Sequence, residues 1–303
     1  MNSLLRGNAL FALAAAVLWG GADFSGGSGV KSAGGGIRAG LRVVLLSHVT
    51  SFVVLVAIAR MRGDVFPQGA PLAWGIAAGV AGGLALTGFY IALSRGGMGA
   101  SAAVSGLLAA AIPASVAMWQ DGSPGERPLV GFAVAGMAIW LIAASPAKEA
   151  TSTAEGGAVR ANARETMVLA MLAGVGFGLY FVALKMASPA GVVWPMATAR
   201  MGSLCICSLM FLGLRLGKAS GPHVKFGRKA VVWTMATALL DTSGNLLFLA
   251  ATRAGRLDVA AVLASLYPAT TILLAALALG ERPTRRQALG MATAVAAVVL
   301  IAM

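Results

Sequence analysis

Apolar residues run along this chain in long blocks, with no strand-like alternation and no wide polar helix faces. Ten such blocks can be marked, at roughly 8–26, 37–59, 71–94, 100–119, 128–146, 165–185, 193–214, 229–252, 258–279 and 285–303. Each approaches the ~20 residues that a helix needs to cross a hydrocarbon layer. Between them lie short gaps rich in Gly, Pro and charge, such as "RMRGDVFPQGAP" at 60–71. These are turn signals. The expectation is an all-α integral membrane protein of ten transmembrane helices.

The longest gap, 147–164, reads "AKEATSTAEGGAVRANAR". It is polar and small-residue-rich, and predicts a flexible linker. It separates a first five-helix unit at 1–146 from a second at 165–303. Sliding the chain by 158 residues brings the units into register: Trp19-Gly20 meets Phe177-Gly178, Arg42 meets Arg200, and Tyr90 meets Phe248. After a small deletion the shift becomes 155; Pro113 then meets Pro268, and "GERP" at Gly125–Pro128 meets "GERP" at Gly280–Pro283. A repeat with an odd number of spans re-enters the membrane upside down. The expected architecture is therefore two inverted five-helix repeats, an arrangement that places transport sites near the midplane between the halves.

Composition agrees with a lipid solvent. Hydrophobic residues make up 58% and charged residues 11%, with mean hydropathy +0.85. Soluble domains carry about 25% charge. The net charge of +13 resides mainly in the gaps, which speaks for membrane anchoring by basic loops rather than for nucleic acid. Cys205 and Cys207 sit in one apolar run on different helix faces without a companion ligand, so neither a metal site nor a cofactor is expected. The partners expected are a small-molecule substrate and the lipid bilayer; a monomer is allowed.

The Trp-Gly of "LWGG" at 18–21, an Arg early in spans two and seven, and the tail "VLASLYPATTILLAALALGERPTRRQALGMATAVAAVVLIAM" together resemble the EamA branch of the drug/metabolite transporter superfamily. The resemblance covers essentially the whole chain. It implies efflux of a small metabolite across a bacterial inner membrane; several similar members export amino acids, including threonine, cysteine-pathway compounds and aromatic amino acids. It also implies cytoplasmic termini. The loop charges argue the other way, because Lys and Arg are commoner on the side opposite the termini.

Ionisable groups inside spans are costly, so they mark bundle interiors and often functional paths. Asp241 near the middle of span eight and His48 near the middle of span two are candidates for substrate or proton contact, against a satisfied structural role. Asn245 lies one turn beyond Asp241 and shares its face. Trp19, Tyr90, Tyr180 and Tyr267 are candidate aromatic lining, against plain packing. Arg42 and Arg200 read as a structural or gating couple, and Pro113 and Pro268 as paired kinks that serve as hinges. Asp23, placed at the end of span one, is expected to pair with Arg42 or to meet another cation at the same membrane face. Glu126 and Glu281 stand where a carboxylate stabilises a helix start. The glycines of "GIAAGVAGG" at 75–83 are four apart and predict a close-packing face.

An intramembrane enzyme using Asp23 and Asp241 as a carboxylate pair is the alternative, weakened by their different expected depths and by the lack of a hydrolase motif. A non-transporting scaffold is the other. With no nucleotide-binding loop, carriage would be by facilitated diffusion, exchange or proton antiport.

Overall fold

The computed structural model describes residues 2–95, 98–143, 156–216, 226–279 and 284–302. Among these the chain forms eleven α-helices: α1 (Asn2–Ser32), α2 (Gly36–Arg62), α3 (Ala70–Ser94), α4 (Met98–Asp121), α5 (Glu126–Ala143), α6 (Gly156–Ala187), α7 (Val193–Leu216), α8 (Arg228–Ala254), α9 (Leu257–Ala264), α10 (Tyr267–Leu279) and α11 (Arg285–Ala302). Seven spans are long and apolar enough to cross a membrane on their own composition, with α9 and α10 counted as one. The α8 helix is not among them, since it places Asp241, Asn245 and four threonines in the bundle interior.

Local chemistry explains the boundaries. Gly34, Gly35 and Gly36 all take positive φ and break α1 from α2, a conformation that costs glycine little. Gly63 closes α2 in the left-handed conformation, its N–H returning to Ala59 and Arg60 carbonyls, as helix C-termini commonly do. Glu126 opens α5 after Gly125. The second GERP, with Glu281, lies outside the described residues.

Three boundaries differ from the sequence expectation. The α1 helix continues to Ser32, so Asp23 is interior to it, roughly 14 Å from its end at 1.5 Å per residue. The α6 helix starts at Gly156, so the second part of the expected linker, rich in Ala and Arg, is helical; 147–155 are not described. Span nine is broken at Ser265 and Leu266 into α9 and α10. Pro268 therefore occupies the first turn of α10, where its missing N–H costs least, while Pro113 lies inside the unbroken α4. The two prolines are not equivalent kinks.

Packing directions follow from which residues meet. Along α2 and α7, Arg38 reaches Leu214, His48 reaches Ser203 and Ser51 reaches Arg200; the helices run antiparallel. The same reversal holds for α4 with α10 (Gly99 against Ile272, Gly106 against Ser265) and for α5 with α11 (Gly131 against Ile301, Gly290 against Ala138). The α1 helix packs antiparallel on α8, and α6 does so on α3. Each of these pairings joins a helix before residue 147 to one that ends after residue 164.

Glycine sets the closest approach. A Cβ on Gly79 of α3 would fall 1.8 Å from the Ala199 carbonyl oxygen of α7, and one on Gly202 would fall 2.1 Å from the Ile76 oxygen. The two backbones touch along the glycine stripe foreseen at 75–83, in the manner of small-residue membrane interfaces. Large apolar side chains such as Leu10, Leu172, Leu239 and Leu277 are exposed instead, an inversion suited to lipid.

Candidate functional site

The interior of α2, α7 and α8 carries a connected polar network. Arg200 on α7 forms a buried ion pair with Asp241 on α8. Its Nε donates to Ser51 Oγ at 3.0 Å, and one terminal nitrogen donates to His48 Nε2 at 2.7 Å. A guanidinium only donates, so His48 Nε2 must accept, and the imidazole is assigned as the neutral tautomer protonated at Nδ1. That Nδ1–H then donates to Ser203 Oγ at 2.6 Å. Ser51 Oγ also accepts from Thr242 at 2.6 Å. Asn245 Nδ2 donates to Asp241 Oδ1 at 2.9 Å, and Tyr180 donates its hydroxyl to Asn245 Oδ1 at 2.7 Å. Helices α2, α6, α7 and α8 are thereby tied at one level.

The network borders a cavity of about 50 Å³, room for roughly four waters. Trp19 and Asp23 of α1, His48, Tyr180, Arg200, Asp241, Asn245 and Tyr267 all line it, along with the α3 glycines. The Trp19 ring stacks on Phe181 at 5.1 Å between centroids, forming an aromatic wall. Both halves contribute: Trp19, Asp23 and His48 from the first, Tyr180, Arg200, Asp241, Asn245 and Tyr267 from the second.

The second half also carries a family likeness. Residues 165–303 match the EamA-like transporter family. The match is consistent with the drug/metabolite transporter superfamily, and seven spans among the described residues are long and apolar enough to cross a membrane. No curated protein sequence matches it. A protein known from its crystal structure superposes over 97% of this chain and 95% of its own, with a TM-score of 0.70 at 16% identity. At that identity the likeness is one of fold.

Six of the seven expected lining residues reach the cavity: Trp19, His48, Tyr180, Asp241, Asn245 and Tyr267. Tyr90 does not line it. Its ring is fully buried against Gly26, where a Cβ would come within 2.4 Å of the ring. Of the expected gating residues, Arg200 lines the cavity, whereas Arg42, Pro113 and Pro268 do not. Arg42 instead lies over the Phe211 ring, 5.8 Å from its centroid. Asp23 and Arg42 form no ion pair, because the longer α1 lifts Asp23 into the bundle interior beside Asp241. Ser51, Ser203 and Thr242 were missed. The available signal was helical phase, since Ser51 is three residues from His48 and Ser203 three from Arg200.

Proposed function

We propose that the chain is a secondary transporter that exports small metabolites, with amino acids as the substrate class, from the cell through its inner membrane. Carriage proceeds by alternating access between two inverted five-helix repeats, 1–146 and 165–303, joined by the 147–164 segment, with both termini cytoplasmic. The observation that carries this reading is the mid-bundle cavity bordered by Asp23, His48, Arg200 and Asp241, between helices of the two halves that pack antiparallel. Such a site can face either side when the halves exchange conformations.

At about 50 Å³ the cavity is smaller than the several-hundred-Å³ pockets that hold small molecules. The solute therefore enters only when the helices around the cavity move apart. Arg200 and Asp241 neutralise each other and hold α7 to α8 rather than the solute. Trp19 and Tyr180 supply the adaptable wall. An aspartate-pair enzyme gains from the shared cavity of Asp23 and Asp241, but loses because Asp241 is already held by Arg200 and Asn245.

Uptake of labelled threonine, phenylalanine and cysteine into vesicles holding the purified protein tests the reading. A carrier moves label that is recovered unaltered. Recovery of a converted product, or no movement of any labelled amino acid, overturns it.

A further inference from the structure

Asp23 is the charge that the network leaves over. It is 6% exposed, lines the cavity, and makes no hydrogen bond within the described residues. The cations nearby are committed: Arg200 spends its three nitrogens on Ser51, His48 and Asp241, and Arg42 lies over Phe211. Among the helices packed on α1, α3 and α10 carry no formal charge, α11 has Arg285 and Arg286 in its first turn alone, and Asp258 of α9 is closed off by Arg256. His48 is a neutral acceptor. With one Arg facing two Asp, the cavity bears an uncompensated negative charge unless something positive joins Asp23. A buried lone carboxylate is costly.

Two further buried groups lack partners in the same region. The Tyr90 hydroxyl has none, and the Tyr267 hydroxyl approaches Ser105 Oγ without hydrogen-bond geometry. Tyr267, at the start of α10, lines the same cavity as Asp23, whereas the Tyr90 ring is packed against Gly26 of α1 and stands outside it. The two carboxylate oxygens of Asp23 and the Tyr267 hydroxyl offer three acceptors. A primary ammonium offers three donors.

We propose that Asp23, with the Tyr267 hydroxyl, binds the primary ammonium group of the transported solute, and that a proton takes the same carboxylate when the solute leaves. This rests on the amino-acid reading above. No bond is made or broken except the O–H of Asp23: the proton leaves to water as the ammonium arrives and returns after it departs. Solute and proton exclude each other, which couples outward solute movement to inward proton movement.

The test uses purified full-length protein and thermal stabilisation. The probes are phenylalanine amide and threonine amide, which keep the ammonium and lack the carboxylate, and their N-acetyl amino-acid counterparts, which have the reverse. The amides raise the melting temperature and the N-acetyl compounds do not. Amide affinity weakens by up to about tenfold per pH unit as pH falls through the Asp23 titration. Asp23→Asn loses the amide shift, and Asp23→Glu retains it with its pH dependence. Should Asp23→Asn fail to fold, the pH series on the native protein decides. Amide binding that is independent of pH, or intact in Asp23→Asn, overturns the ammonium site. Binding of the N-acetyl compounds without the amides overturns it too while leaving amino-acid transport standing, and no binding by either set together with no amino-acid flux removes both.

Discussion

Arg200 and Asp241 meet as a buried ion pair that joins α7 to α8, with His48 and Ser51 of α2 fastened to the same guanidinium. Three helices from the two halves thus converge on one cation. Removing either partner leaves the other buried and alone, which costs about 3–5 kcal/mol. Arg200→Met and Asp241→Leu are each expected to lower the melting temperature in detergent severely. The double variant, which buries no lone charge, is expected to recover much of the loss.

The contact of α3 with α7 leaves no room for a methyl group. Gly79→Ala would set a Cβ against the backbone oxygen of Ala199, and backbone cannot rotate away as a side chain can. Overpacking of this kind costs about 1–3 kcal/mol or more. Gly213→Ala, where a Cβ meets nothing within 4 Å, is the control and is expected to melt with the native protein. Equal melting of the two variants would contradict the contact.

Tyr180→Phe removes the donor to Asn245 Oδ1 and leaves that oxygen inside the bundle. A loss of about 1–3 kcal/mol is expected. The variant should also bind amino acids more weakly than native protein, because Asn245 borders the cavity. Calorimetry of unfolding and of binding reads the two effects separately.

At the membrane end of α8, Arg256 pairs with the fully buried Asp258 and donates to the Gly122 carbonyl, tying α9 to the end of α4. Arg256→Gln keeps hydrogen-bond capacity without charge and should cost less stability than Arg256→Ala. Equal losses would show that the charge, rather than the hydrogen bonds, holds this corner.

The proposed inversion of the two halves makes a topological prediction. In a variant with Cys205 and Cys207 replaced by Ala, single cysteines at Val65 and Ser220 occupy corresponding gaps of the two halves. They are expected to react with an impermeant maleimide from opposite faces of sealed vesicles. Reaction from the same face would mean that the halves are threaded alike.

Much of this fold was legible in sequence, because lipid imposes a simple rule on composition and length. The helix positions, the glycine stripe at 75–83, and six cavity residues followed from apolar runs, spacing and the cost of intramembrane polarity. Side-chain partners did not. The apolar pattern ends the first helix near 26 and so sets Asp23 beside Arg42, whereas the small, weakly polar segment through Ser32 remains helical. The pairing of Arg200 with Asp241 depends on the relative rotation of two helices, which no single-chain pattern specifies. Serines 51 and 203 look like packing residues until the helical phase is compared with His48 and Arg200. The break before Pro268 was read as a bend, since a proline alone does not distinguish a kinked helix from a new start.

The most direct test of a cavity that opens alternately to two sides places one cysteine inside it. Leu86 lines the cavity and is 6% exposed; Leu86→Cys in the same cysteine-free background is sealed into vesicles, and an impermeant thiol reagent is added to one face or the other. Labelling from either face, with amino-acid flux stopped once labelling is complete, is the predicted result. Labelling from a single face only, or undiminished flux through fully labelled protein, would contradict it.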